Sequence, residues 1–329
     1  MEVKRRTAQS LISKLASVSG PTRTAALCEL RLLTKHDPDI RPVIADEGAI
    51  PYLAETLYSD APLDQDNAAA TLLNVSIACP EALMSTRGLL DALSHTLSHH
   101  TRHHPSAVQS AAATVYSLVI DENYRPVVGS KRDIVYALID IVRTPDSPAK
   151  SMKDALKALF GLALYPLNRT TMVELGAAAA LFGLVVNDGR VGVVEDATAV
   201  IAQMAGCEES AEAFRRVSGI RVLVDLLDPG TGWSARIREN AVSGLLNLAG
   251  FGQGVVVEEI RELGSEFVFH GLGEVVKNGS IKGRKRAQTL IDILGRVSLG
   301  GLELSPMNSI NSGMDSNSDL LMDSHSYGV

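Results

Sequence analysis

One sequence pattern recurs along most of the chain at intervals of 42 to 46 residues. Seven segments begin with Ala and place an apolar residue seven positions later, and all but the first also place one four positions later. The seven anchor alanines are Ala25, Ala68, Ala111, Ala155, Ala197, Ala241 and Ala287, and Glu29 is the exception at the +4 position of the first segment. Offsets 0, +4 and +7 share one side of an α-helix. Each segment therefore predicts an amphipathic helix with a buried stripe that Ala heads.

A second motif lies between these predicted helices. A small residue, which is Gly48, Gly88, Gly176 or Ser218, is followed at once by apolar residues at helical spacing. A short helical stretch precedes each of them. The small residue predicts a tight turn that ends one short helix and starts the next. Each unit is thus expected to contain a short helix, a longer helix and a long helix.

A period near 43 residues with three helices per unit is typical of armadillo or HEAT repeats, and the Gly-Ala-Ile turn favours armadillo. One unit cannot bury its stripe alone, so the units must stack. We predict an all-α fold, an armadillo-repeat right-handed superhelical solenoid of about six to seven repeats over residues 1–299. Residues 7–18 and 285–297 would close its two ends, and the register slips near residues 264–276. Residues 300–329, rich in Ser and Asn, predict a disordered tail.

The composition excludes several classes of protein. The chain has 46% hydrophobic but only 4% aromatic residues, which suits helices packed through Ala and Leu. The net charge of −7 disfavours nucleic acid as a partner. The three cysteines are far apart in the sequence, which indicates reduced thiols. Because neither a signal peptide nor a membrane span is recognisable, we expect a cytoplasmic protein that is also compatible with the nucleus.

Five of the eight histidines lie between residues 95 and 104. The pairs at helical spacing are His95–His99, His99–His103 and His100–His104. Two imidazoles so placed can bind zinc on a helix. The run also fills an inter-repeat loop of ordinary length, and no cysteine lies near it. We therefore predict a solvated loop, no metal and no cofactor, with metal binding as the minor alternative.

Two other motifs are similar to known functional motifs, a phosphate-binding loop and a nuclear localisation signal. "GFGQG" from Gly250 follows a predicted helix and lacks the spacing of a phosphate-binding loop, so it predicts a turn. "KGRKRAQ" from Lys282 is similar to a nuclear localisation signal, but it also fits the solvated side of the last helix. We favour the second interpretation because Ala287 and Leu294 occupy the core stripe of that helix.

Residues 23–77 contain "ELRLLTK", "VIADEGAIPYL" and "NAAATLLNVSI", and "NAVSGLLNLA" and "GRKRAQTLIDIL" occur near the end. With these motifs the chain resembles the armadillo region of plant U-box armadillo proteins over residues 7–298. The resemblance implies an array that binds substrates or receptor-like kinases. In that family a U-box recruits the ubiquitin-conjugating enzyme. Here the repeats begin almost at Met1, so we expect a scaffold without ligase activity.

Importin-alpha, another armadillo protein, holds an extended basic peptide with rungs of Trp and Asn on its long helices. The rungs fall two and six positions after the anchor Ala, on Leu27 and Arg31 in the first unit here. Of the Asn rung only Asn74 and Asn247 are present, and no Trp occupies the Trp rung. A nuclear-import type of peptide receptor is therefore disfavoured, although the same groove is expected.

Positions −1, +2 and +6 relative to each anchor share the helix side opposite to the buried stripe or beside it. In the central repeats these candidate groove residues are Asn67, Asn74, Ser110, Ser117, Asp154, Lys157, Gly161, Asp196, Gln203, Asn240 and Asn247. Most are small and polar, which predicts a hydrogen-bonding surface.

These features predict a non-enzymatic scaffold that binds a protein or peptide partner along the groove. The resemblance suggests ubiquitin-linked or receptor-kinase signalling, with a receptor-like kinase or a ubiquitination substrate as the partner. The alternative is a substrate-recognition component or regulator of a U-box ubiquitin ligase.

Overall fold

The structure is a computed structural model that describes residues 2–101, 104–251 and 253–296. Within these ranges it contains twenty α-helices, two short 3-10 helices and no strand. The first two helices form a pair, α1 (Glu2–Leu15) and α2 (Gly20–His36). The other eighteen form six units of three.

The first three units are α3 (Ile40–Asp46), α4 (Ala49–Thr56) and α5 (Pro62–Ala78); α6 (Pro80–Ser85), α7 (Leu89–Ser98) and α8 (Pro105–Val119); and α9 (Arg125–Ser130), α10 (Arg132–Arg143) and α11 (Ala149–Ala163). The last three are α12 (Pro166–Glu174), α13 (Ala177–Asn187) and α14 (Val191–Met204); α15 (Glu209–Arg216), α16 (Gly219–Asp225) and α17 (Ala235–Phe251); and α18 (Gln253–Glu262), α19 (Ser265–Asn278) and α20 (Ile281–Arg296). The short 3-10 helices are Glu122–Tyr124 and Pro229–Thr231. The prediction of an all-α solenoid with six to seven repeats is confirmed.

The buried stripe is confirmed in six of the seven long helices. Ala68, Ala111, Ala155, Ala197, Ala241 and Ala287 are all 0% exposed. The long helix of each unit packs against the long helix of the next one. Because Ala has no side chain beyond Cβ, two helix backbones can approach closely at these positions.

In the first long helix, α2, the predicted register is wrong by one residue. Ala25 is exposed and Leu32 is 57% exposed, whereas Ala26 and Leu30 are buried at 1% and 0%. With Ala26 as the anchor, Leu30 occupies the +4 position, and Glu29 is no longer an exception. The sequence "AA" left two registers open, and packing against the neighbouring helix selected the second.

Left-handed backbone conformations make the predicted turns. Gly48, Gly88 and Gly176 have φ values of 84°, 83° and 82°, and Ser218 has a φ of 54°. Each of these residues stands immediately before the middle helix of its unit. Glycine adopts this conformation without a steric penalty, which explains its repeated use here.

The ends and the irregular unit also agree with the sequence. Helix α1 buries Ala8, Leu11 and Leu15 and packs against α2 and α3, and α20 buries Ala287 and Leu294. In the last unit the predicted slip takes the form of a long middle helix, α19, of 14 residues. The predicted disordered tail, residues 300–329, lies outside the described residues.

In the described ranges, no single helix combines the length and the apolar character that a membrane span needs. Helices α12 and α13 reach that length only as a pair bent by 79°.

Candidate functional site

The seven long helices, α2, α5, α8, α11, α14, α17 and α20, form one layer, and the shorter helices form the other. We call the exposed side of the long-helix layer the inner face. Successive helix residues are about 100° apart, so positions −5, −2, +2 and +5 from the anchor Ala lie opposite the buried stripe. Positions −1 and +6 lie at one edge of the inner face, toward the preceding long helix.

The four asparagines predicted for the groove direct their amide nitrogens at the preceding long helix. Nδ2 of Asn67 donates to Cys28 Sγ, and Nδ2 of Asn74 donates to Thr34 Oγ1, both at 3.1 Å. Nδ2 of Asn240 donates to the Glu195 carbonyl at 3.2 Å and to Thr198 Oγ1 at 3.1 Å. Nδ2 of Asn247 donates to the Ala202 carbonyl at 2.9 Å. These bonds join neighbouring long helices. An amide also carries an acceptor oxygen, so half-buried Asn74, Asn240 and Asn247 can still accept from a peptide N–H.

Three of the predicted groove residues are buried, which corrects their predicted role. Asn67 is 2% exposed, and its Oδ1 accepts a hydrogen bond from Nη1 of Arg31 at 3.1 Å. Asp154 is 4% exposed, and Gly161 is buried against α8. All three lie at −1 or +6, the edge positions that pack on the preceding helix. They contribute to inter-helix packing and do not present a surface to a partner.

The other eight predicted residues are half-buried on five consecutive long helices. They are Asn74, Ser110, Ser117, Lys157, Asp196, Gln203, Asn240 and Asn247. The structure therefore brings them onto one continuous side of the layer. Contact between these residues and a partner stays a prediction.

Charged groups meet at the centre of the inner face. Nζ of Lys153 lies 3.8 Å from Oδ2 of Asp196, and Nζ of Lys157 lies 6.0 Å from the ring centroid of Tyr116. Burial raises the pKa of Asp196 to about 6, and the nearby Lys153 and Lys157 only partly oppose this rise. Burial and the neighbouring Asp154 and Asp196 raise the pKa of the Tyr116 phenol. The centre thus holds a carboxyl group whose pKa is raised to about 6.

The sequence-based choice missed most of the basic residues of the inner face. These are Lys150, Lys153, Arg236, Lys282, Lys285 and Arg286. All except Arg286 stand five or two positions before an anchor Ala, so the 100° rotation per residue places them opposite the stripe. Counting backward as well as forward from each anchor would have found them.

The first part of the inner face has a different character. Leu32, Ile77 and Ile120, near the C-terminal ends of α2, α5 and α8, are 57%, 60% and 51% exposed. No Lys or Arg occupies the −5, −2 or +2 position of α5 or α8. The inner face therefore carries exposed apolar residues and no Lys or Arg at these positions of α5 and α8, whereas basic residues occur from α11 onward.

Of the described histidines of the 95–104 stretch, His95, His99 and His104 line one cavity, whereas His100 points away from it. The rings of His95 and His99 lie 4.5 Å apart, as helical spacing predicts. His104 Nδ1 lies 2.8 Å from Oδ2 of Asp66, whereas His100 Nε2 lies 3.1 Å from Thr144 Oγ1. In the described ranges no group of three or more His, Cys, Asp or Glu side chains could hold a metal ion. His103 lies outside these ranges.

Similar proteins of known family were found by sequence. The chain is 30% identical over 296 residues to U-box domain-containing protein 16 of Arabidopsis thaliana, covering 88% of this chain and 41% of that protein. It is also 30% identical over 290 residues to U-box domain-containing protein 4 of Oryza sativa subsp. japonica, covering 88% and 38%. The chain thus spans about two fifths of the length of these relatives. No protein-family profile matches the chain. Its curated homologues are plant U-box domain-containing proteins.

Solved structures decide the fold. An engineered protein matches with a TM-score of 0.75 and 20% identity over 87% of this chain and 68% of its own. A designed armadillo repeat protein matches with a TM-score of 0.51 and 18% identity over 87% and 99%. The chain has the armadillo-repeat fold. Together with the sequence similarity to plant U-box proteins, this fold confirms the predicted resemblance to their armadillo region.

In this armadillo solenoid, small residues line much of the +2 row, the centre of the inner face. The row reads Cys28, Ala70, Ala113, Lys157, Ala199, Ser243 and Thr289, with Cys28 in place of Leu27 after the register correction. The correction likewise moves the +6 position of the first unit from Arg31 to Leu32. Because these side chains are short, a peptide backbone can approach the long helices closely.

Proposed function

We propose that the chain is a protein-interaction scaffold whose inner face binds an extended segment of a protein partner. The observation that carries this proposal is the row of half-buried amides, Asn74, Asn240 and Asn247, beside a row of small residues on one continuous face. Each amide is held by its nitrogen and can use its oxygen for a partner. A designed protein of similar fold, with a TM-score of 0.50, was made for modular peptide recognition, which supports a peptide as the ligand.

The size of the inner face sets the length of the segment. Packed helices lie roughly 8 to 10 Å apart, so seven long helices span on the order of 50 to 60 Å. An extended chain advances about 3.3 Å per residue, so about 15 residues cover this distance. Peptides of that length are the appropriate probes.

A selection followed by titration tests the proposal. Fifteen-residue peptides would be selected from a displayed random library on the purified chain, and their affinities measured by fluorescence anisotropy. We expect Asn74→Ala with Asn247→Ala to weaken binding at least tenfold, because both substitutions remove acceptors from the inner face. Hydrogen exchange of the complex should show protection on α5 to α17.

The matched control is Asn123→Ala with Asn187→Ala, which removes two exposed asparagines that lie away from the long helices. This variant should bind the selected peptides as the unchanged chain does. Equal losses in the two variants, or protection confined to the short helices, would contradict an inner-face site.

The homology over 88% of the chain favours a second candidate, a role linked to U-box ubiquitin ligases. As a substrate-recognition component or regulator, the chain would change the rate of substrate ubiquitination by a plant U-box protein. A reconstituted reaction with and without the chain measures this rate. The chain alone, with activating and conjugating enzymes, should not ubiquitinate itself, and self-ubiquitination would overturn the non-enzymatic assignment.

We further propose that the partner is a receptor-like kinase or a ubiquitination substrate, and that the protein works in the cytoplasm and also in the nucleus. Proximity labelling in plant cells, followed by titration of each candidate against the Asn74/Asn247 variant, tests both parts. A set of neighbours that belongs to another compartment would contradict the localisation.

A further inference from the structure

The second half of the inner face carries more basic than acidic side chains. The basic ones are Lys150, Lys153 and Lys157 on α11, Arg236 on α17, and Lys282, Lys285 and Arg286 on α20. Lys153 and Lys157 are half-buried and the other five are exposed. Long Lys and Arg stems carry their charges away from the helix surface toward solvent. We call this surface, from α11 to α20, the cationic track.

The carboxylates near these residues take part in contacts within the repeat array: Oδ2 of Asp196 lies 3.8 Å from Nζ of Lys153, and Oδ1 of Asp154 lies 3.6 Å from Nζ of Lys157. Asp154 is 4% exposed. Glu195 accepts a hydrogen bond from Oγ of Ser234, and Glu239 accepts from N and Oγ of Ser280, both at 2.6 Å. These acceptors cap the segments that lead into α17 and α20. Glu195 and Glu239 thus serve inter-repeat contacts, and Lys153 and Lys157 are paired with carboxylates. Lys150, Lys285 and the acidic Asp292 are exposed on the same face.

One contact shows that the cationic track crosses from helix to helix. Nη1 of Arg286 on α20 donates to Oγ of Ser243 on α17 at 2.9 Å. Ser243 stands at +2, the centre of the inner face of α17, so the guanidinium of Arg286 lies over the preceding helix. At the other end, Nζ of Lys153 lies 3.8 Å from Asp196 on α14. Basic side chains therefore stand on α11, α17 and α20, and Lys153 reaches the edge of α14.

We propose that the cationic track binds an acidic segment of the protein partner. The inference rests on the proposed function and adds the chemistry of the ligand: Asp and Glu side chains pair with the lysines and arginines, while the amides of Asn240 and Asn247 bind the peptide backbone. The same charges disfavour a basic peptide. Charge complementarity at short range gives selectivity because salt screens interactions beyond about 8 Å at physiological ionic strength.

A protein segment fits the cationic track better than nucleic acid does. The whole chain has a net charge of −7, which repels a long polyanion that extends beyond the track. Glu195 and Glu239 also interrupt the basic residues, so a regular phosphate backbone would meet carboxylates. A peptide can place its acidic residues to avoid them.

Three labelled 15-residue peptides test the inference by fluorescence anisotropy. One contains alternating Glu and Ser, the second replaces each Glu by Gln, and the third replaces each Glu by Lys. We expect the acidic peptide to bind at least tenfold more tightly than the Gln peptide and the Lys peptide to bind least. The preference should shrink as salt rises from 50 to about 300 mM.

Charge reversal locates the site. Lys150→Glu with Lys285→Glu should weaken the acidic peptide at least tenfold, and Lys150→Gln with Lys285→Gln should weaken it less, as a milder variant if the reversal disturbs folding. The matched control, Arg87→Glu with Arg221→Glu, changes the net charge equally at exposed residues outside the long helices and should change affinity less than twofold.

Several results would overturn the inference. The first is that the acidic peptide binds no more tightly than its Gln counterpart. The second is that the track and control variants lose affinity equally. The third is that DNA of equal charge binds as tightly as the acidic peptide. Selected peptides that depend on Asn74 and Asn247 without any acidic preference would remove this inference and leave the proposed function standing. Absence of any peptide binding would remove the proposed function itself.

Discussion

Gly161 of α11 and Val119 of α8 meet with no space for another carbon atom. A Cβ built on Gly161 would lie 2.5 Å from Cγ2 of Val119. Real Cβ atoms do not approach other atoms so closely, so a side chain at residue 161 would force α8 and α11 apart. The +6 position of α11 holds Gly because it faces the preceding long helix, α8, where a larger residue would not fit.

The substitution Gly161→Ala should therefore destabilise the protein by about 1 to 3 kcal/mol through overpacking. Urea unfolding followed by circular dichroism measures the change. Gly183→Ala on α13 is the control, because a Cβ there meets nothing within 4 Å. Alanine is favoured over glycine in a helix by about 0.5 to 1 kcal/mol, so that variant should be as stable as the parent or more so. Equal losses would show that α8 and α11 are not so closely packed.

Asn247→Ala should lower stability as well as partner binding. It removes the hydrogen bond from Nδ2 to the Ala202 carbonyl at 2.9 Å, and such a bond contributes about 0.5 to 1.5 kcal/mol. Gln203→Ala, at the same +6 position of the preceding long helix, serves as the comparison. A thermal melt of both variants checks this expectation, and an unchanged Asn247 variant would contradict the inter-helix role of the amide.

Asp196 should make stability depend on pH between its ordinary pKa of 3.8 and its folded-state pKa of about 6. Burial raises its folded-state pKa to about 6, above the ordinary value of 3.8. Between these two values the folded chain holds the proton more tightly than the unfolded chain, so this contribution to stability is lost as pH rises toward 6. Asp196→Asn should therefore gain stability relative to the parent from pH 4 to 6.5, by on the order of 1 to 3 kcal/mol.

Asp188→Asn provides a control of opposite sign. Hydrogen bonds from Arg190 lower the pKa of Asp188, so its contribution is present above pH 4 and is lost as pH falls below that. Urea midpoints at a series of pH values separate the two behaviours. If Asp196→Asn followed the same trend as Asp188→Asn, burial would not dominate the titration of Asp196.

Arg169→Leu should destabilise the contacts of α12 with the end of α11 in the third unit and with the segment that leads into the fifth unit. Arg169 is 4% exposed, and it donates from Nε to the Ala163 carbonyl at 2.7 Å and from Nη1 to the Gly206 carbonyl at 3.0 Å. Its loss leaves two carbonyls without these donors, which costs about 2 to 4 kcal/mol. Arg216→Leu, whose side chain is 73% exposed, should change stability by less than about 0.5 kcal/mol in the same melt.

The repeat and its three-helix unit could be predicted because both are local. The anchors from Ala68 to Ala287 and the turn glycines recur at regular spacing, and helical geometry converts that spacing directly into a buried stripe and a turn. The first anchor could not be located in the same way. Ala25 and Ala26 both start an acceptable pattern, and only the position of α2 against its neighbours buries Ala26.

The groove residues were predicted only in part for a related reason. Periodicity identified the side of each long helix that lies away from the buried stripe. It did not show which edge of that side packs against the preceding long helix. Asn67, Asp154 and Gly161 face the preceding long helix and are buried, whereas Lys150 and Lys285 face the open side.

Spacing along one chain was enough to specify the period, the helices and the residues that had to be buried. The packing of the helices specified which polar side chains join neighbouring long helices and which remain accessible to a partner. That division depends on how each long helix packs against the preceding one, and residues about 43 positions apart specify this packing jointly.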